Sequence, residues 1–303
     1  MKHYTIESRQ SEEALARLVA ESDATLESNM RRISRSIASQ ADQRLIGLTG
    51  PTCSGKTTAA RLFTDYMESH GHNVHVISVD DFYFDKEYLT RRADADPNIE
   101  IDYDSEETID TELLAERAES LLACKPTQMP RFDFRSGKRV DGGVITPERG
   151  DLFLFEGIQV LYPSVREILS GSAYRSIYIY PESSIAVGGQ TFLPDEIRLM
   201  RRLVRDYRYR ASSPSFTLYL WQSVRANEER SIFPYADACN DRLDSTMPYE
   251  IGMLKPYLEQ ILPSVAPDDR FYGEAQRILQ KIASVQAVSS HLLTETSLYK
   301  EFI

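Results

Sequence analysis

Gly50-Pro51-Thr52-Cys53-Ser54-Gly55-Lys56-Thr57 fits the spacing G-x-x-x-x-G-K-[ST], a loop that cradles the phosphates of nucleoside triphosphates. Its flanks fit as well. Leu45-Ile46-Gly47-Leu48 reads as a buried strand, and Thr58 to Met67 reads as a helix with Ala59, Ala60, Leu62, Phe63 and Met67 available for an inner face. A glycine-rich turn ahead of an ordinary helix is the plainer alternative. The strand before, the helix after and the Lys-Thr pair argue against it.

Such a loop works through its backbone. Glycines let the chain wrap an anion with no side chain in the way, successive N–H groups form a nest, and the following helix turns its positive end to the ligand. Gly50, Thr52, Ser54, Gly55, Lys56, Thr57 and Thr58 are therefore the expected ATP-binding set. Lys56 would reach the β- and γ-phosphates, and the Thr57 hydroxyl would ligate Mg²⁺. Cys53 reads as a small tolerated loop residue.

At 303 residues the chain is long enough for one large α/β domain or a domain with helical additions. Its net charge of −11 argues against general attraction to nucleic acid or to an anionic membrane. Cys53, Cys124 and Cys239 are too few and too scattered for a disulfide framework or a metal knuckle, which suits a reducing cytoplasm. The N-terminus is polar, with no secretory signal, and no apolar run approaches a membrane span.

Residues 11–42 show helical spacing at Leu15, Leu18, Val19, Leu26, Met30, Ile33 and Ile37, a lead-in before the first strand. His70-Gly71-His72-Asn73 reads as a turn and Val74 to Val79 as a second strand; residues 85–110 look acidic and irregular, and 111–123 helical. Met129 to Phe134 and Lys138-Arg139-Val140 flank Ser136-Gly137 as a hairpin. Asp151 to Phe155 and Ser176 to Tyr180 are further strands, and the chain from about 195 onward is mainly helical. Alternating strands and helices predict an α/β, doubly wound, mostly parallel sheet of the P-loop type. The expected divisions are a helical lead-in over 1–43, a kinase domain with its hairpin and arginine-bearing lid helix over 44–210, and a helical C-terminal part over 211–303 packed on it.

Two acids follow the loop. Asp80-Asp81 ends the second strand, where a carboxylate can ligate Mg²⁺ or accept a proton from an attacking alcohol. Glu156 closes the apolar run Phe153-Leu154-Phe155, the Walker-B arrangement that holds Mg²⁺ opposite the loop threonine. Strands often end in polar residues, so each acid alone says little; together, downstream of this loop, they say more. Arg198, Arg201, Arg202, Arg205 and Arg208 recur at helical spacing. They form either a clamp on the triphosphate or a solvated basic face, and the loop upstream favours the clamp.

Ile77 to Tyr83, Asp102-Tyr103-Asp104, Pro130 to Phe134, Phe155-Glu156-Gly157-Ile158 and Arg198 to Asp206 together resemble the uridine kinase and phosphoribulokinase family, in order and approximate spacing over 44–210. Trp221 to Arg225, Glu228 to Pro234 and Tyr249 to Tyr257 look like its bacterial uridine kinase-like subgroup. Longer members of that subgroup carry an N-terminal extension related to threonyl-tRNA synthetase, and the resemblance implies a member without it.

The resemblance implies an ATP-dependent kinase acting on a small-molecule hydroxyl, with Mg²⁺ as cofactor and often the 5′-hydroxyl of uridine or cytidine as acceptor. By position Asp80 is the catalytic base, Thr57, Asp80 and Glu156 hold the metal, and Lys56, Arg201 and Arg205 act on the phosphates, the two arginines closing as a lid. Tyr83, Asp104, Phe132, Arg139 and Arg198 fall to the acceptor. The family's hairpin-turn histidine has no counterpart in Arg135-Ser136-Gly137-Lys138, Ser105 stands where a histidine is usual, and the segment 181–194 is longer than in simple uridine kinases. These departures leave the donor half intact and bear on the acceptor.

Two other readings stay open. One is a kinase for another sugar or polyol, phosphoribulokinase-like; the other is a nucleotide-binding regulatory protein without acceptor activity. A GTPase ranks low because N-K-x-D is missing. The expected partners are ATP, a small acceptor and further copies of the chain in a dimer or tetramer. Trp221 and the helices around it would cover the acceptor pocket or form that interface, and Arg225, Glu228, Glu229 and Arg230 would either reach the site or form a surface ion cluster.

Overall fold

Leu45–Thr49 is buried at every position, and so is Leu152–Phe155. A strand with no polar face has to lie inside a sheet covered on both sides. The computed structural model describes residues 3–40, 42–95, 105–171 and 174–303.

The chain opens with β1 (His3–Ile6), α1 (Glu12–Ala38), β2 (Leu45–Thr49), α2 (Lys56–Ser69) and β3 (Val74–Ser78). A 3₁₀ turn over Val79–Phe82 and α3 (Lys86–Ala95) follow, then α4 (Thr111–Leu122), β4 (Thr127–Asp133), β5 (Lys138–Ile145) and β6 (Leu152–Glu156). Next come α5 (Pro163–Leu169), β7 (Tyr174–Tyr180), β8 (Ser184–Val187), β9 (Gln190–Phe192) and α6 (Pro194–Tyr209). The last elements are α7 (Pro214–Ser231), α8 (Phe233–Ala236), β10 (Asp241–Asp244), α9 (Glu250–Ile261) and α10 (Tyr272–Ile282).

Five parallel strands form the central sheet in the order β10-β7-β2-β6-β3. One face is covered by α1, α2, α6 and α9 through Met30, Phe63, Leu203 and Leu254. The other is covered by the 3₁₀ turn, α4 and α5 through Phe82, Leu114 and Val165. The fold is therefore α/β and doubly wound. α1 shows how its sequence sets it: Ser11 accepts from the Ala14 N–H, Glu12 and Glu13 sit at the positive end, and Leu15, Val19, Leu26, Met30, Ile33 and Ile37 line the buried stripe. Burial of each such side chain contributes about 1.5–3 kcal/mol.

Several elements depart from the sequence reading. β10 is a strand inside the stretch read as helical, and it pairs with β7, so residues beyond 211 complete the edge of the central sheet. The segment 85–95 contains α3 where irregular chain was expected. The long insertion before α6 forms the β8–β9 hairpin, to which β1 adds in parallel, His3 opposite Ser184. At the amino ends of β3 and β6, Asp151 accepts from Asn73 Nδ2 (3.0 Å) and the Glu148 N–H (2.9 Å) and pairs with His75 Nε2 (2.7 Å). Burial alone would raise its carboxyl, but these bonds outweigh that and hold it below the usual range.

Candidate active site

Every strand of the central sheet points its carboxyl end to one edge, and β2 has β6 on one side and β7 on the other. That reversal of strand order opens a crevice, the usual place for a ligand on such a sheet. The loop 50–55 fills it. Gly55 caps α2 at φ +97°, and a Cβ there would strike the Leu298 side chain; a Cβ at Gly50 would strike the Ile179 carbonyl. Both positions therefore require glycine.

A cavity of about 340 Å³ lies over the loop, lined by Thr52 to Thr57 together with Asp80, Tyr83, Glu156 and Gln159. Arg202, Arg205, Arg210 and Glu301 close its other sides. Lys56 Nζ donates to the carbonyls of Gly50 (2.9 Å) and Pro51 (3.1 Å), which holds the ammonium at the cavity floor. Burial pulls Lys56 down from its usual range, against the opposing fields of Glu156, Glu301 and Asp80. Burial raises Asp80, opposed by Gln159 and Lys56, and raises Glu156, opposed by Lys56.

Four acids line this space; Glu228 is taken by Arg198 and Glu301 by Thr58, which leaves Asp80 and Glu156, with Thr57, as an all-oxygen set too small to enclose a cation alone. Among the described residues no group of three or more His, Cys, Asp or Glu forms a metal cage. This fits Mg²⁺, which takes one or two carboxylates and completes its shell with water and substrate phosphates.

Asp80 sits in the 3₁₀ turn, two residues beyond the end of β3 at Ser78, where the sequence reading had Asp80-Asp81 end the strand itself. Gln159 Nε2 donates to Asp80 Oδ1 and to the Tyr83 hydroxyl, the latter at 2.7 Å. Tyr83 meets Phe132 and Phe134 edge-on, with ring centroids 5.5 and 6.4 Å away. The next carboxylate, Asp81, accepts from the Phe132 N–H at 2.9 Å and ties the hairpin to the turn that carries Asp80. Arg139 pairs with Asp110 at 2.8 Å, while its N–H donates to Asp85 at 2.7 Å. Tyr83 thus joins Asp80 in the cavity, linked to it through Gln159, whereas Phe132, which packs on Tyr83, and the Arg139 guanidinium, engaged on the hairpin's support, do not line it. Asp104 lies outside the described residues.

The arginine helix divides its residues differently from the expectation. Arg198 and Arg201 are fully buried and do not line the cavity. Arg198 forks onto Glu228 at 2.6 and 2.7 Å, lies over the rings of Tyr180 and Trp221, and donates to the Thr52 carbonyl at 3.2 Å. Arg201 pairs with Glu250 at 2.7 Å and donates to the carbonyls of Ser245 (2.8 Å) and Cys53 (3.2 Å). Neither guanidinium meets the cavity directly; both brace the back of the loop through its carbonyls. The physical reason is burial: a guanidinium on the inner face of α6 has to be paired. Arg202 and Arg205 do line the cavity, held by Asp206 at 3.2 and 2.7 Å. Arg210, 3.6 Å from the same carboxylate, joins them.

Glu301 was not anticipated. Its Oε2 accepts from the Thr58 N–H at 3.3 Å and from the Thr58 hydroxyl at 3.1 Å. No local pattern marks it, because the contact spans 243 residues of sequence. Gln159 was also missed, although it directly follows the motif Phe155-Glu156-Gly157-Ile158. Arg225 and Glu228 belong to the Arg198 cluster, with Arg225 Nη1 2.8 Å from Glu228; Glu228 also touches the cavity.

No described helix is long and apolar enough to cross a membrane. Uridine kinase from Ligilactobacillus salivarius is 29% identical over 170 residues, 56% of this chain and 69% of that protein. Uridine kinase from Staphylococcus aureus is 29% identical over 198 residues, 64% of this chain and 84% of that protein. The D-glycerate 3-kinase from Cryptococcus neoformans var. grubii superposes with a TM-score of 0.50 at 16% identity, covering 66% of this chain and 87% of that one, a likeness of fold alone. Residues 45–240 match the phosphoribulokinase / uridine kinase family. The chain belongs to the phosphoribulokinase/uridine kinase family.

Proposed function

We propose that the protein, an ATP-dependent kinase by family, transfers the γ-phosphoryl group of Mg·ATP to the 5′-hydroxyl of uridine or cytidine. One observation carries this reading: the loop lysine, a buried carboxylate and an aromatic wall share a single cavity, as Lys56, Asp80 and Tyr83. Phosphoryl transfer asks the protein mainly for positioning and charge stabilisation. Lys56 and the start of α2 would hold the β- and γ-phosphates, with Arg202 and Arg205 on the opposite side. Thr57, Asp80 and Glu156 would hold Mg²⁺, which neutralises charge on the phosphates when bound. Asp80, raised by burial and oriented by Gln159, would take the proton from the acceptor hydroxyl. Tyr83 and Phe132 would pack against the acceptor, with Asp104 to bind its sugar hydroxyls. The curated relatives named uridine kinase support the choice of nucleoside.

A second reading has a specific observation behind it. The hairpin turn carries Arg135 and Lys138 and no histidine, which favours an anionic acceptor such as a sugar phosphate. The deciding experiment incubates the purified protein with Mg·ATP and a panel of uridine, cytidine, pentose phosphates, glycerate and polyols, and identifies phosphorylated product by mass spectrometry. Uridine or cytidine monophosphate supports the first reading and a sugar bisphosphate the second. A protein that binds ATP yet phosphorylates nothing in the panel contradicts both.

A further inference from the structure

Thr58 contributes the third N–H of α2, one of the helix-end donors that have no partner within the helix. In a loop of this type those donors face the phosphates. Here a side chain of the protein already takes one of them: Glu301 Oε2 accepts both the Thr58 N–H and its hydroxyl, and the same carboxylate borders the cavity.

The carboxylate is held there by the segment around it. Leu298, Tyr299 and Phe302 are fully buried, and Leu298 packs directly on Gly55. The Tyr299 hydroxyl donates to Glu250, and the Arg201 guanidinium lies over the rings of Tyr299 (5.7 Å) and Phe302 (5.4 Å). Tyr209 adds a hydrogen bond to the Ile303 carbonyl at 2.9 Å. Residues 298–303 therefore form a strap anchored in the core beside the loop, and Glu301 is the residue it turns to the loop.

We propose that Glu301 is a determinant of donor binding: its carboxylate occupies the anion-binding start of α2, and a triphosphate has to displace it. Two anions cannot share one N–H and one hydroxyl, and the same positive helix end that favours a phosphate also favours the carboxylate. Glu301 thus weakens binding of triphosphates and sets the concentration at which the loop fills. Its neighbours give the displacement a path, since Leu298 touches the loop at Gly55 and Arg201, beneath Tyr299, holds the Cys53 carbonyl. The inference rests on the reading of the loop as the donor site.

The experiment measures the dissociation constant of Mg·ATP for the wild type, Glu301→Ala and Glu301→Gln by calorimetry, with adenosine as the ligand that lacks phosphates. The variants are expected to bind Mg·ATP roughly fivefold to thirtyfold more tightly, the size of effect an anion at a helix start can produce, with adenosine unchanged. Should Glu301→Ala fail to fold, Glu301→Gln preserves the shape and removes the charge. Equal or weaker Mg·ATP binding by the variants overturns the inference and leaves the kinase reading standing. The same tightening for adenosine overturns it too, because it would mark a general opening of the site. ATP binding by none of the three proteins overturns the donor reading and this inference together.

Discussion

Gln159 Nε2 lies 2.7 Å from the Tyr83 hydroxyl and donates at the same time to Asp80 Oδ1. One amide group thus links the proposed base to the wall of the proposed acceptor pocket. Gln159 is 1% exposed, and its Oε1 has no hydrogen-bond partner among the described residues. Those two bonds are what fix the orientation of the amide.

Replacing Gln159 with leucine removes both bonds at nearly constant volume. The account predicts kcat roughly 10- to 100-fold lower, part of the factor a positioned base supplies, with ATP affinity unchanged. Initial rates at saturating ATP, with ATP binding titrated separately, distinguish this from a general loss of structure. An unchanged kcat contradicts the role given to Gln159.

The two kinds of arginine on α6 predict opposite phenotypes. Arg201 and Glu250 are both fully buried and 2.7 Å apart. Arg201→Met leaves the Glu250 carboxylate without its cation and should cost about 3–5 kcal/mol, read as a large fall in thermal unfolding temperature. Arg205 lines the cavity, and Arg205→Met should leave unfolding nearly unchanged while lowering kcat/KM by at least about 100-fold. Loss of activity without loss of stability in Arg201→Met would return Arg201 to the phosphate clamp.

Asp151 gives a prediction in pH. Its carboxyl is held below the ordinary range by hydrogen bonds that outweigh burial, so the native state favours the ionised form. The resulting stability is fully present above the unfolded value of about 4 and is lost as pH falls through the lower native value. Asp151→Asn should cost about 1–3 kcal/mol at pH 7, from the weakened bonds to Glu148, Asn73 and His75. The gap between wild type and variant in chemical denaturation should narrow progressively below about pH 4. A gap independent of pH would contradict the ionised assignment.

That the loop and the two acids share one cavity was legible because each is local. Gly50 to Thr57, Asp80 and Glu156 each sit within a few residues of a strand end, and parallel strands bring such ends to one edge. The core helices were legible through spacing, as in α1. What escaped depends on distant contacts. Glu301 meets Thr58 from the far end of the chain, and β10, four residues with acids at both ends, becomes a strand only because β7 offers it an edge. The arginine row shows the limit of periodicity. Positions 198, 201, 202 and 205 all read as one basic helix, yet only the paired acids Glu228 and Glu250, far along the sequence, decide which guanidinium groups turn inward.

The central claim is that Asp80 serves phosphoryl transfer in a cavity whose loop binds ATP. The most direct measurement is acceptor-dependent ADP release by wild type and Asp80→Asn at saturating Mg·ATP, with ATP affinity determined for both. The account predicts ATP binding within a few-fold of wild type and a fall in turnover of about 100- to 10,000-fold, the contribution of a positioned base. Turnover by Asp80→Asn equal to that of the wild type would contradict it.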